Sequence, residues 1–165
     1  MDQQKKLVVG WFSFTCSEDS TILFTELLND HLDEWKKVVE FRYLKALKSK
    51  NEIAGLDVAF IEGAVSSDTQ AEEVKKIRGH AKYVVAVGAC ACTGMPSASR
   101  NEFVSDEVNQ KIAYYLHHFD YSQKVKKLDE VIKVDDQVPG CPMTVSIFLE
   151  ILTKYLKLFN ISPDA

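Results

Sequence analysis

AKYVVAVGACACTG, residues 81–94, decides the fold. Lys82 to Val87 is almost wholly apolar, the pattern of a strand buried on both faces of a parallel sheet. Directly after it the composition turns to Gly, Ala, Cys and Ser, without periodicity, as far as Ser99. That change predicts a functional loop at the strand's C-terminal end. Working outward, Leu56 to Ile61 (LDVAFI, stopped by Gly63) and Leu7 to Phe12 read as further strands. Val38 to Leu44 alternates apolar and polar, as an edge or half-buried strand does, and Val131 to Val134 reads as a short fifth strand. Helical stripes lie between them. Thr21 to Trp35 carries Ile22, Leu23, Leu27, Leu28 and Leu32, with candidate caps in Ser17 to Ser20. Asp68 to about Ile77, Asp106 to His117 and Met143 to Phe159 follow the same period. Ala46 to Glu52 reads as a loop or short helix, and Tyr121 to Glu130 fits no single pattern. Strands alternating with helices predict an α/β, doubly wound parallel sheet of about five strands in flavodoxin-like order. Right-handed crossovers then gather every loop that follows a strand at one rim. No repeat, linker or low-complexity tract divides residues 1–165, which are read as one domain.

The chain has 165 residues, 46% hydrophobic and 27% charged, ordinary values for a soluble globular domain. A net charge of -4 and no basic patch interleaved with aromatics argue against a nucleic-acid partner. LVVGWF is short and lacks a cleavage pattern, so it reads as a first strand rather than a leader, and no apolar run reaches membrane-span length. The expectation is a cytoplasmic protein with reduced thiols, where cysteines serve metal or redox roles.

Three of the four cysteines follow strand-like runs: Cys16 after LVVGWF, Cys90 after YVVAVGA, and Cys141 in VPGCP after VIKV. Cys92 adds a thiol two residues beyond Cys90. Four thiols on one rim are what an iron–sulfur cluster needs. Glycines and small residues in GACACTG and PGCP let backbone N–H groups approach such a cluster closely. Zinc competes less well, because its sites favour C-x2-4-C pairs and Cys90-Ala91-Cys92 is one residue short. Gly88 to Gly94 lacks the Gly-Lys-Ser/Thr ending of a phosphate loop. His117 and His118 diverge on a helix, and His31 and His80 stand alone. A flavin reading finds Ser and Thr in Ser13 to Ser20, but Glu18 and Asp19 there repel phosphate.

GWFSFTC (10–16), LDVAFIEGAVSS (56–67), AKYVVAVGACACTG (81–94) and VPGCP (138–142) together resemble the small subunit of cytosolic [NiFe]-hydrogenases. The likeness is closest to the delta-type subunit of sulfhydrogenases. The cluster-bearing subunit of NADH:quinone oxidoreductase is a more distant relative. The resemblance runs from Leu7 to Leu158. It implies a flavodoxin-like fold and one [4Fe–4S] cluster relaying electrons to and from a large subunit that holds the Ni–Fe centre. It also implies a hetero-oligomer with further iron–sulfur or flavin redox subunits, in which this chain does no bond chemistry. By position, Cys16, Cys90 and Cys141 match cluster ligands, and Glu62-Gly63 match the EG that ends the third strand.

The chain departs from the family at one point. The first loop of the family reads Cys-x-x-Cys, and here it reads Cys16-Ser17-Glu18-Asp19. Cys16 takes the first position and Asp19 the second on the preferred alignment; a different gap puts Ser13 first and Cys16 second. Three completions follow: Cys92 as a substitute thiolate, Asp19 as an oxygen ligand, or a three-iron cluster or none. Cys92 ranks slightly ahead of Asp19 because four cysteines match the usual ligand count. The plain alternatives are an Asp19 helix cap and a packed Cys92. A cluster-less regulatory or scaffolding module, or a related subunit of another oxidoreductase complex, is the competing function.

Overall fold

A computed structural model describes residues 5–103 and 105–162. Five parallel strands form one sheet: β1 (Leu7–Ser13), β2 (Val39–Leu44), β3 (Leu56–Glu62), β4 (Ala81–Val87) and β5 (Asp136–Val138), in the order β2-β1-β3-β4-β5. This is the flavodoxin-like order expected from the strand count. α1 (Asp19–Val38), α2 (Asp68–His80), α3 (Gly88–Thr93), α4 (Asp106–His118) and α5 (Val145–Leu158) connect and flank them, with 3-10 turns at Ser97–Glu102 and Leu128–Glu130.

Strand alternation sends side chains to both faces, and each face has its own core. Leu7, Val9, Trp11, Val58, Phe60, Val85 and Val87 pack against Phe24, Leu28 and Trp35 of α1 and Phe148, Leu152 and Tyr155 of α5. Trp11 stacks on Phe24 with centroids 4.2 Å apart. On the other face Ala59, Ile61, Val84 and Ala86 meet Val74 and Ile77 of α2, with Leu128 and Ile132. Every residue of β3 is buried, as a central parallel strand requires. Among the described residues no helix is long and apolar enough to cross a membrane.

Two elements differ from the sequence reading. The fifth strand is Asp136–Val138, not Val131–Val134. Leu128 and Ile132, with Val131 and Val134 beside them, pack on the second face of the sheet, so the apolar run is a packed turn. The ladder starts where Asp135 exchanges bonds with Val84, its N–H donating to the Val84 carbonyl at 2.8 Å and its carboxylate accepting from the Val84 N–H at 2.9 Å. The stretch after β4 is not a loop throughout. It turns on Gly88 (φ +80°) into the short helix α3, which ends at Gly94 in the left-handed region.

Candidate functional site

Three segments after strands converge on the sheet's C-terminal rim. The segment after β1 is pinned to the end of β3. Phe14 N–H donates to the Glu62 carbonyl at 2.9 Å, and Thr15 and Ala64 exchange bonds at 3.1 and 2.9 Å. The segment after β5 is tied to α3 by Ala89 N–H donating to the Gly140 carbonyl at 2.7 Å, and to α1 by Met143 N–H donating to Ser20 Oγ at 3.1 Å. Cys16, Asp19, Glu62, Gly88, Cys90 and Cys141 line the resulting small cleft.

Cys90 is buried, with Ser97 Oγ 3.2 Å from its sulfur. Cys16 is half-buried with Ser13 Oγ 3.6 Å from its sulfur, and burial pushes its thiol up to about 11 despite that hydroxyl. Cys141 is exposed, and its thiol donates to Asp19 Oδ2 at 3.1 Å. That bond raises the Cys141 thiol. Burial pushes the Asp19 carboxyl up, but hydrogen bonds from Cys141 and Ser17 outweigh it and hold the group below the usual carboxylate range. Both shifts describe one thiol–carboxylate contact in the cleft.

Cys92 goes elsewhere. Two residues apart on a helix, Cys90 and Cys92 point about 200° apart. The Cys92 side chain is buried in the second-face core, with its thiol toward the Ala86 carbonyl at 3.6 Å. Burial pushes it up to about 11. The structure therefore brings Cys16, Cys90, Cys141 and Asp19 together and leaves Cys92 outside the cleft. In the cluster-free protein, iodoacetamide at pH 8 is expected to label Cys141 first. Cys92 should be labelled only under unfolding conditions, as peptide mass mapping over time would record. Early labelling of Cys92 would contradict its sealed position.

Asp19 does not serve as the cap of α1. Its Oδ1 accepts the N–H of the adjacent Ser20, at 3.1 Å, and the N-cap residue, Glu18, makes no side-chain cap bond. The cap comes from Glu62, at the end of β3. Glu62 is 2% exposed; its carboxylate accepts from Ser20 N at 3.1 Å, Thr21 N at 3.0 Å and Thr21 Oγ1 at 2.6 Å. Thr21 Oγ1 in turn accepts from Trp11 Nε1 at 2.8 Å. A buried carboxylate on the first amides of a helix satisfies both the orphan donors and the positive end of the dipole. The sequence places Glu62 on this rim only through resemblance, and it carries no signal for this cap or for Ser97.

The cleft suits an iron–sulfur cluster by its donor set and its backbone. Three thiols and two carboxyl side chains line it; Glu62 is bonded to the start of α1, and Asp19 to Cys141. A Cβ on Gly88 would sit 3.1 Å from Ser20 Oγ and 3.8 Å from Glu62 Cγ, so only glycine leaves that wall open. Among the described residues no three His, Cys, Asp or Glu side chains meet closely enough to hold a single metal ion. A cluster makes a different demand, since each ligand meets its own iron and the donors stand apart.

The NADH ubiquinone oxidoreductase 20 Kd subunit family matches residues 16–155. A subunit of the F420-non-reducing hydrogenase of Methanothermobacter marburgensis is 33% identical over 122 residues, covering 65% of this chain and 39% of that protein. The delta subunit of sulfhydrogenase 2 from Pyrococcus furiosus is 28% identical over 166 residues, covering 95% of this chain and 64% of that protein. The chain thus spans between about two-fifths and two-thirds of the length of these relatives. In a solved structure of an NAD+-reducing [NiFe]-hydrogenase in the H2-reduced state, one chain superposes with a TM-score of 0.75 at 25% identity, covering 96% of this chain and 94% of that one. The resemblance carried by the four segments, three of them cysteine-bearing, is therefore the relationship found, and the chain belongs to the NADH ubiquinone oxidoreductase 20 Kd subunit family.

Proposed function

We propose that this chain is the electron-transfer small subunit of a cytoplasmic [NiFe]-hydrogenase complex, holding one [4Fe–4S] cluster through Cys16, Cys90, Cys141 and Asp19. One observation carries the reading: three thiols from three strand ends share a cleft with a carboxylate that already touches one of them. The family and the names of its hydrogenase relatives support the same assignment. When bound, such a cluster supplies a one-electron relay. The chain's residues fix the donors. Glu62 locks the start of α1, and with it Asp19, to β3. The Ala89–Gly140 bond sets the Cys141 segment against α3. Cys141, exposed on the rim, faces the partner large subunit, which holds the Ni–Fe centre; other iron–sulfur or flavin subunits exchange the electrons.

Asp19 is favoured over Cys92 on two grounds. Its carboxylate has no helix to cap, because Glu62 performs that task. Cys92 is committed to the opposite face of the sheet. A carboxylate oxygen is a harder ligand than a thiolate and holds its iron less firmly. The protein, co-expressed with its partner subunits and purified without oxygen, is expected to contain about four irons, the count of a four-ligand cubane. Cys16→Ala, Cys90→Ala and Cys141→Ala should each lose the cluster. Cys92→Ala should keep the full iron and sulfide count, while Asp19→Ala drops to a three-iron signal by EPR. Full iron in Asp19→Ala with loss in Cys92→Ala would reverse the ligand assignment. Iron near zero in the wild-type complex would leave a scaffolding role only, which the Cys141–Asp19 bond also suits because it satisfies both groups without a cluster.

A further inference from the structure

We propose that Ser97 is a positioning residue for the cluster, one whose hydroxyl proton turns from the Thr15 carbonyl to the Cys90 sulfur once that sulfur is a thiolate. The proposal rests on Cys90 being a cluster ligand. Ser97 Oγ lies 3.2 Å from the Thr15 carbonyl oxygen and 3.2 Å from Cys90 Sγ. A hydroxyl has one proton, so it serves one acceptor at a time. Against a neutral thiol the carbonyl is the better acceptor. Against a thiolate the sulfur wins, because charge-assisted hydrogen bonds are roughly twice as strong. Turning the proton leaves nothing stranded, since the Thr15 carbonyl still accepts from Ala64 N–H at 2.9 Å.

The hydroxyl is held where this matters. Ser97 opens the 3-10 turn Ser97–Glu102, and two clamps fix that turn to the segment 122–125. Arg100 donates to the Ser122 and Gln123 carbonyls, both at 2.8 Å. Asn101 donates to the Val125 carbonyl at 2.7 Å and accepts the Val125 N–H at 2.9 Å. Ser97 thus bridges the segment before Cys16 and the helix bearing Cys90. A donor on a ligand sulfur favours the more negative, reduced cluster and raises its reduction potential.

Redox titration followed by EPR, on the complex with its partner subunits, tests this in Ser97→Ala and Ser97→Thr. The bond is present in both redox states, so only its strengthening on reduction moves the potential, on the order of a tenfold change in the reduction equilibrium or about 59 mV for a one-electron couple. Ser97→Ala is expected to keep the wild-type iron count and move its midpoint negative by about that amount, with Ser97→Thr restoring it. An unchanged midpoint in fully loaded Ser97→Ala would overturn the donor role. Iron lost equally from both variants would also overturn it, because packing alone would then explain the residue. Wild-type complex without iron would overturn it together with the cluster assignment, and the iron count tells that failure from the first.

Discussion

Glu62→Ala is expected to lower the unfolding free energy of the cluster-free protein by about 3 kcal/mol, the scale of stranding two buried donors at once. The substitution removes the acceptor for Thr21 N–H and the Thr21 hydroxyl, and leaves Ser20 N–H with Asp19 Oδ1 alone. Water cannot easily replace it, since Ser20 is 1% exposed and Glu62 2%. The loss spreads to Trp11, whose indole N–H donates to that same threonine oxygen. Glu62→Gln should fall between, because its amide oxygen can still accept from one side. Urea denaturation followed by circular dichroism would measure both, with the slope unchanged if only stability moves. A Glu62→Ala protein as stable as wild type would mean that the carboxylate does not cap α1.

Gly140→Ala is expected to be nearly as damaging, by about 2–3 kcal/mol, the scale of a strained backbone with an added clash. Gly140 has φ +116°, a region L side chains rarely adopt. A Cβ there would lie 2.5 Å from the Pro142 carbonyl oxygen and 3.1 Å from Thr144 N, both backbone atoms that cannot swing aside. The turn that presents Cys141 would have to open, breaking the Ala89–Gly140 and Thr144–Pro139 backbone bonds. Iron content should fall along with the melting temperature. Gly79→Ala is the control: its Cβ meets nothing within 4 Å in α2, and it should be neutral or slightly stabilising. Equal melting temperatures for the two variants would show that the Gly140 turn is not constrained.

The sheet is legible in the sequence because its strands state their burial. LDVAFI and KYVVAV are largely apolar on both faces, as central parallel strands must be, and the α5 stripe follows the helical period. The α1 stripe is misplaced at Ile22 and Leu32, which are exposed, because the helix turns Phe24, Leu28 and Trp35 to the core. β5 is not legible. It is three residues long, and its place is set by the bonds between Asp135 and Val84, a pairing 51 positions apart. The rim is legible for the same reason as the sheet: a thiol after a parallel strand has one place to go, and Cys16, Cys90 and Cys141 reach it. The difference between Asp19 and Cys92 is hidden in a change of state. Read as a loop, residues 88–94 leave Cys92 free to face either way. As the helix α3 they turn it to the core. The Glu62 cap is equally hidden, since it joins residues 42 and 41 positions apart.

Helix ends ordinarily fray, and their first amides trade hydrogen for deuterium long before a domain unfolds. α1 is denied that freedom, because its opening turn is bonded to the terminal residue of a fully buried strand. Ser20 and Thr21 amides can exchange only when the end of β3 lets go, so helix start and strand end belong to one cooperative unit. The segment carrying Cys16 and Asp19, clipped to the same strand end through Phe14 and Thr15, breathes with it rather than alone.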